Sequence, residues 1–254
     1  MPNFLVVKLQ HFTALSEADC AALNKVTARR SQVAPREDIV HEGEPHGPIR
    51  VILDGWACRY RHLTDGRRQV TALLLPGDLC DTHVAVLRAM DHSIGALTPV
   101  TLAEIPRARL DMLVGYHPQV GQALWSEMLA AAAIQREWTL SVARLGAVER
   151  LGQLLCQLFH RLRAVGLTRN HGYGLMLRRS DLADALGLTD LDVSRGLRTL
   201  HTQALIVLER GWLTILDLSR LQRASLFSPG YLHLGDRDSF PHRRPILAAG
   251  DRSS

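Results

Sequence analysis

Arginine is the residue whose distribution first suggests a chemistry for this chain. Residues 144–223 contain twelve arginines against seven acidic residues, a surplus of +5, whereas the first 143 residues sum to −1. Residues 224–254 add +1, which gives the formal net charge of +5. A local surplus of guanidinium groups is what binding to phosphates requires. An ordinary solvated basic face has the same composition, so the charge supports phosphate binding without establishing it.

The stretch from Arg178 to Ile206 has the spacing of two short helices joined by a tight turn. Gly187 can take a positive φ at the end of the first helix, and Thr189 with Asp192 forms a capping-box pattern before the second. This order is typical of a helix-turn-helix, whose second helix enters the DNA major groove. A helical hairpin inside a core has the same spacing and remains an alternative at this point. The two apolar faces are Leu182, Ala183, Leu186 and Val193, Leu197, Leu200.

The segments on either side of this motif predict a winged domain. Residues 147–165 form an amphipathic helix, and GYGLMLRRS predicts a strand that leads into the motif. After it, ALIVLERGWLTILDL has two apolar runs around Glu209-Arg210-Gly211, which predicts a hairpin. A hairpin after the second helix makes a wing, and this form usually docks on nucleic acid or protein.

The first hundred residues change from helix to short strands. A helix with Ser16 as its N-cap is followed, from about Gln32 to Ile105, by short β-like runs separated by turn residues. Asp65-Gly66 between two of these runs is a strong hairpin signal. We therefore expect a small antiparallel roll or barrel turned by four evenly spaced glycines, Gly43, Gly55, Gly66 and Gly77.

A long helix is predicted from Gln119 to about Leu145, between the two regions. Its apolar stripe and its small residues from Ala130 to Ala133 favour a dimerisation helix. The alternative is a helix that packs on its own domain. The stripe consists of Val120, Leu124, Met128, Ala131, Trp138 and Leu145.

Several classes of protein have no support in the sequence. No Ser/His/Asp set, phosphate loop, HExxH or paired-carboxylate motif is present, so we do not expect an enzyme. The N-terminus lacks a secretion signal, and no apolar stretch approaches the ~20 residues that span a bilayer. The four scattered cysteines have no metal-ligand spacing, and we expect a cytoplasmic protein without a membrane partner. The composition from residue 224 onward predicts a mobile tail.

Three segments together resemble the Crp/Fnr family of bacterial transcription regulators over roughly residues 10–222. They are PGDLCDTHVAVLRAMDHSI, AVERLGQLLCQLFHRL and SDLADALGLTDLDVSRGLRTLHTQALI. The resemblance implies an α+β fold with an N-terminal antiparallel β-roll, a jelly-roll-like double-stranded β-helix. A long dimerisation helix and a C-terminal winged helix-turn-helix follow. The expected boundaries are 1–117 for the effector-sensing roll, 118–146 for the dimerisation helix, 147–223 for the DNA-binding domain and 224–254 for the tail.

For DNA, the resemblance implies a homodimer on a pseudo-palindromic promoter site, with RNA polymerase as a further partner. Arg195 matches the arginine with which the family reaches base edges, and Thr189 is placed to bond a phosphate. Better-known members have Arg-Glu where this chain has Asp190 and Leu191; the aspartate could accept from cytosine and the leucine could touch a thymine methyl. The predicted DNA-binding residues are Arg195, Thr189, Asp190, Asp192, Ser194, Arg198 and Arg179.

For an effector, the resemblance points to the end of the roll. Cyclic-nucleotide binders have a glutamate and an Arg-Ser or Arg-Thr pair there, where this chain has Thr82 and His92-Ser93, so the main partner of a cyclic phosphate is missing. A four-cysteine iron–sulfur cluster has only Cys20 near the N-terminus. Heme through His83 and an unknown small molecule remain alternatives, as does the absence of any effector. The predicted effector residues are Asp78, Thr82, His83, His92 and Ser93.

Overall fold

The computed structural model describes residues 2–45, 47–81 and 89–234. Two short helices come first, α1 (Phe4–Leu9) and α2 (Glu17–Val26). Ser16 caps α2 as predicted: its hydroxyl accepts from the Asp19 N–H at 3.2 Å, and the Asp19 carboxylate accepts from the Ser16 N–H at 2.9 Å. The prediction of a capped helix before the strands is therefore confirmed.

Two antiparallel sheets form the roll, which we define as residues 30–105. One sheet has the strand order β1-β7-β3 and the other β2-β6-β4-β5. The predicted α+β fold with an N-terminal antiparallel roll is confirmed. The strands are β1 (Arg30–Val33), β2 (Asp38–Val40), β3 (Ile49–Asp54), β4 (Ala57–His62), β5 (Arg68–Leu74), β6 (Ser93–Ala96) and β7 (Val100–Ile105).

The four glycines predicted to turn the roll all have left-handed backbones, with φ between +82° and +92°. Gly66 closes the hairpin between β4 and β5, as the Asp-Gly pair indicates. Gly77 has a second constraint, because a Cβ there would lie 2.7 Å from the carbonyl oxygen of Phe4. Only glycine lets the turn after β5 approach α1 this closely.

Two helices, α3 (Arg107–Tyr116) and α4 (Pro118–Arg144), follow the roll. The apolar stripe predicted on α4 for dimerisation faces largely into this chain: Val120 is fully buried, and the Trp138 indole N–H donates to Gln157 at 2.9 Å. A different face is exposed, carrying Trp125 and Leu129. The sequence pattern does not distinguish the two faces, because the alanines at 130–133 lie on all sides of the helix and leave both faces weakly apolar. Within the described residues, no helix is long and apolar enough to cross a membrane.

The winged domain begins with α5 and ends with α8. Its sheet has the order β8-β10-β9, and the hairpin of β9 and β10 is the predicted wing. The helix-turn-helix is confirmed as α6 and α7. The elements are α5 (Ala147–Ala164), β8 (Gly172–Gly174), α6 (Arg179–Leu186), α7 (Asp190–Thr202), β9 (Ile206–Glu209), β10 (Trp212–Ile215) and α8 (Leu218–Ala224).

The chain after α8 packs back on the protein, so the predicted start of a mobile tail at residue 224 is wrong for residues 224–234. Phe227 stacks on the His160 ring with centroids 5.4 Å apart, and a short 3₁₀ helix covers Pro229–Leu232. Leu232 is buried, and the Tyr231 hydroxyl accepts from the Gln157 amide at 3.1 Å. Burial of these apolar side chains outweighs the turn-rich composition. Residues 235–254 lie outside the described residues.

A buried charge cluster joins four parts of the chain at the turn after β5. Asp78 Oδ1 accepts from Lys8 Nζ of α1 at 2.7 Å, and its Oδ2 is bonded by Arg161 of α5. Lys8 also donates to Glu127 of α4 at 2.6 Å. Burial opposes ionisation of Asp78, but Arg161 and Lys8 outweigh it and lower the pKa of this carboxyl. Burial likewise disfavours the charge of Lys8, yet the two carboxylates raise its pKa.

The winged domain docks directly on the roll. One hydrophobic cluster contains both roll residues, such as Trp56 and Val70, and domain residues such as Phe159. At its edge, the Arg36 guanidinium donates to both oxygens of Asp181 on α6, at 2.7 and 2.9 Å. Arg36 has a left-handed φ of 73°, uncommon for a residue with a side chain. The bidentate pair with a buried carboxylate offsets that backbone strain.

We expect Asp181→Ala to lower the free energy of unfolding by about 3 kcal/mol, because it leaves Arg36 without its buried partner and removes a helix cap. The cap is the bond from the Arg178 N–H at 2.9 Å. Urea denaturation of the purified protein measures the change.

Asp192→Ala is the matched control for this substitution. Asp192 accepts from the Thr189 N–H at the start of α7 just as Asp181 caps α6, but it has no arginine partner among the described ion pairs. We expect a loss of about 1 kcal/mol for this variant. Equal losses in the two variants would show that the contact with Arg36 adds nothing.

Candidate nucleic-acid interface

The turn between α6 and α7 has the geometry that the sequence predicts. Gly187 ends α6 with φ 61°, and its N–H bonds to the Ala183 carbonyl. Thr189 then caps α7: its hydroxyl donates to Asp192 at 2.6 Å and accepts from the Asp192 N–H at 3.1 Å. The bonds from Thr189 lower the pKa of the Asp192 carboxyl. Thr189 and Asp192 thus satisfy each other and fix the start of α7.

One face of α7 packs on α5 and the opposite face is open. Val193 and Leu200 are buried, and a Cβ at Gly196 would lie 3.1 Å from Leu151 of α5, so a larger residue would push the helices apart. At 100° per residue, Arg195 lies roughly 130° around the helix from the middle of this contact. The exposed face carries Leu191, Arg195, Arg198 and Thr202.

The other predicted DNA contacts lie at the margins of this face. Ser194 is half-buried and its hydroxyl donates to the Asp190 carbonyl at 2.8 Å. Asp190 is exposed at the first residue of α7. Arg179 is exposed at the first residue of α6. Arg195 and Arg198 are therefore the predicted residues best placed to reach a duplex.

The wing carries an arginine that the sequence reasoning did not single out. Arg210 and Gly211 form the tip of the hairpin with φ of 49° and 81°, and Arg210 is exposed. The Glu209-Arg210-Gly211 turn predicts the hairpin, and an arginine at the tip of such a hairpin is the available signal for a phosphate contact. The wing therefore presents an exposed arginine at its tip, in addition to Arg195 and Arg198 on α7.

The three predicted effector residues that the structure describes, Asp78, His92 and Ser93, each contact other groups of the protein. Asp78 is held by Lys8 and Arg161 in the buried charge cluster. His92 contacts Asp91, and the Ser93 hydroxyl accepts from the Glu42 N–H at 3.0 Å. Burial, and then Arg59, lower the pKa of His92, which disfavours its cationic form. Thr82 and His83 lie outside the described residues, so the heme alternative stays a prediction.

The cysteines do not fit a shared iron–sulfur cluster. Cys58 and Cys156 are buried in the core that joins the roll to the winged domain, Cys80 is buried in another cluster, and Cys20 packs against a third. Burial raises the pKa of Cys58 to about 11 and those of Cys80 and Cys156 to about 12. Thiols buried in separate cores cannot converge on one cluster as thiolates.

Comparison with known proteins agrees with this architecture. Residues 30–117 match the family model of the cyclic nucleotide-binding domain, and residues 149–224 match that of the Crp-like helix-turn-helix domain. The transcriptional activator protein FnrL of Cereibacter sphaeroides is 30% identical over 207 residues, which are 80% of this chain and 82% of that protein. The nitrogen fixation regulation protein FixK of Azorhizobium caulinodans is 30% identical over 199 residues, 78% and 77% of the two chains.

Solved structures give the same result. The structure of FixK2 from Bradyrhizobium japonicum superposes with a TM-score of 0.69 at 26% identity, and the match covers 77% of this chain and 96% of that one. The transcriptional regulator TTHB099 from Thermus thermophilus, at 20% identity and a TM-score of 0.59, shares the fold. The roll, the long helix and the winged helix-turn-helix thus occur together and in the same order, and this chain belongs to the Crp/Fnr family of transcription regulators.

Proposed function

We propose that this regulator binds promoter DNA as a homodimer, with α7 of each protomer in successive major grooves of a pseudo-palindromic site. The observation that carries the proposal is the face of α7 on which Arg195 and Arg198 are exposed to solvent, on a helix with a capped N-terminus. RNA polymerase is the further partner that a promoter-bound regulator requires, and the cytoplasm is the compartment in which it meets both. Its relative FnrL is named a transcriptional activator.

The chemistry of the α7 face favours a mixed base contact. Arg195 is long enough to bond guanine O6 and N7 through two N–H groups, which is the commonest specific contact in the major groove. Leu191, one turn earlier and 57% exposed, offers an apolar surface to a thymine methyl. Arg198 on the same face and Arg210 on the wing suit phosphate contacts, which position the domain without reading sequence.

The exposed face of α4 supports the homodimer. Its residues recur at alternating intervals of four and three, the spacing that lets two parallel helices form a shared seam. Trp125 is 61% exposed and Leu129 is 53% exposed, more than a protomer alone would leave to water. Arg136, midway along, is the charged member of this series, which runs through Trp125, Leu129, Ala132, Arg136, Thr139 and Ala143.

Selection of duplexes from a random pool by the full-length protein tests the function directly. We expect an enriched motif with two-fold symmetry and half-sites one helical turn apart, about 10 base pairs. Affinity for that duplex should fall steeply as salt rises, because bound phosphates release counterions. A pool without enrichment, or an affinity insensitive to salt, would instead indicate a module that binds protein.

Arg195→Ala should weaken binding to the selected duplex by about 10- to 100-fold and relax the preference at one base pair of each half-site. Fluorescence anisotropy with the selected duplex and its single-base variants measures both effects. Arg220→Ala, at an exposed arginine of α8 in the same domain, controls for the loss of one positive charge. A uniform loss across all duplexes would reassign Arg195 to a phosphate.

Leu129→Glu should convert the protein to a monomer, because a carboxylate among the apolar residues of the α4 seam is desolvated in the dimer. Light scattering after gel filtration should give about twice the 28.2 kDa chain mass for the wild type and a single chain mass for the variant. Met112→Glu is the control, since Met112 on α3 is equally apolar and 56% exposed but lies off the seam. A Leu129 variant that remains dimeric would exclude this face.

A further inference from the structure

The chain after α8 forms a strap, residues 226–234, that joins the winged domain to α4. At its start Leu226 has a left-handed φ of 52°, and the Phe227 N–H bonds to the Gln222 carbonyl at 2.9 Å, which closes the end of α8 as a Schellman motif does. The chain reverses there, and the 3₁₀ helix of the strap packs on both α4 and α5. The strap therefore runs from the last helix of the winged domain to the helix that carries the proposed dimer seam.

Two buried apolar side chains anchor the strap. Phe227 stacks on the ring of His160 on α5. Leu232 belongs to the apolar core that the roll and the winged domain share, and Ile134 and Trp138 of α4 pack against the same core. Removal of both side chains from water favours the docked strap over a strap exposed to solvent. The strap is thus held to α5 at one end and lies beside α4 at the other.

One buried glutamine links the strap to both helices. The side-chain amide of Gln157 on α5 donates to the Tyr231 hydroxyl at 3.1 Å, and its carbonyl oxygen accepts from the Trp138 indole N–H of α4 at 2.9 Å. Gln157 is only 1% exposed, so the loss of either partner would leave a buried polar atom without that hydrogen bond. Because hydrogen bonds are directional, this chain of bonds favours one arrangement of α4, α5 and the strap.

These contacts cross the junction at which the winged domain joins α4. Helix α4 ends at Arg144 and α5 begins at Ala147, so only Leu145 and Gly146 connect them. A short connection of this kind can absorb a change of backbone angle and act as a hinge. Gln157 lies 11 positions after Gly146, which is about 16 Å along α5. A contact at that distance resists rotation about the junction more effectively than a contact beside it.

We propose that Tyr231 and Leu232 are positioning residues that fix the angle between α4 and the winged domain, and thereby the spacing of half-sites that the homodimer accepts. Arg36 and Arg161 hold the domain on the roll, whereas the strap holds it on the helix that carries the seam. One base pair added between two half-sites moves one of them by about 3.4 Å and turns it by about 35°. A domain held by the strap follows this change only at a cost, and a released domain follows it more easily. The inference rests on the proposed function.

Fluorescence anisotropy of the full-length protein with three duplexes tests the proposal. The first is the selected duplex, the second has one more base pair between its half-sites, and the third contains a single half-site. The spacing ratio is the Kd of the second duplex divided by the Kd of the first. We expect a ratio of about ten or more for the wild type, because the added base pair misplaces one of the two α7 helices. A wild-type ratio near one would overturn the proposal.

Leu232→Asn should release the strap, because it places an amide among buried apolar side chains. We expect the spacing ratio to fall about fivefold through weaker binding of the selected duplex, while the affinity for the single half-site stays unchanged. Leu226→Asn is the matched control: it is the same change in the same strap, but Leu226 is 64% exposed and asparagine adopts a left-handed φ readily. A ratio that survives in the Leu232 variant, or that falls equally in both variants, would contradict the proposal.

Tyr231→Phe keeps the test valid if the Leu232 variant fails to fold. It retains the aromatic ring and removes only the hydroxyl that accepts from Gln157. We expect a folded protein with a spacing ratio about twofold lower than that of the wild type. An unchanged ratio in this folded variant would remove Tyr231 from the assignment.

Chymotrypsin measures release of the strap without DNA. Phe227 and Tyr231 are cleavage sites that the docked strap shields, so we expect cleavage there to be about tenfold faster in Leu232→Asn and unchanged in Leu226→Asn. Mass spectrometry of the products identifies the sites. A protein that selects a duplex, and whose spacing ratio survives release of the strap, refutes only this inference. A protein that selects no duplex refutes the proposed function, and the claim about spacing with it.

Discussion

The carboxylate of Asp78 is the interaction on which the rest of the structure depends. It is buried, and it receives Lys8 from α1, Arg161 from α5 and the Leu75 N–H from its own turn. A buried charge is stable only when oppositely charged or hydrogen-bonding groups contact it. Movement of α1, α5 or the turn after β5 would therefore leave a charge unpaired in an apolar surrounding. Glu127 extends the same constraint to α4 through Lys8. The roll, the long helix and the winged domain are thereby fixed to one point.

A second attachment fixes the direction of α7 within the protomer. Arg36 and Asp181 join the roll to α6, in addition to the contact of Arg161 on α5, and an apolar core is shared by the roll and the winged domain. With two attachments, the domain cannot swivel freely about the end of α4. The separation of two α7 helices in a homodimer is then set by how two α4 helices pair, and the separation of half-sites on DNA follows from it.

The features that depend on near neighbours in sequence could be predicted, and those that depend on distant partners could not. Gly187, the capping box of Thr189 and Asp192, and the Asp65-Gly66 hairpin are local, so residue type alone determines them. The face of α4 that meets the roll, the packing of Phe227 and Leu232, and the bond of Arg36 to a residue 145 positions away are non-local. Likewise, the sequence predicted both the exposed positions of Arg195 and Arg198 and the capping of α7 by Asp192.

The bonds of Lys8 also determine when α1 can fold during synthesis. Its partners Asp78 and Glu127 lie 70 and 119 positions later in the chain. At a translation rate of ~5–20 residues per second, roughly 6–24 s separate the synthesis of Lys8 from that of Glu127. Through that interval the apolar face of Leu5, Val6 and Leu9 can pack on α2 and on the strands already made, but not on α4, which completes its cluster. The anchoring of α1 is thus completed only after α4 has been synthesised, long after α1 itself.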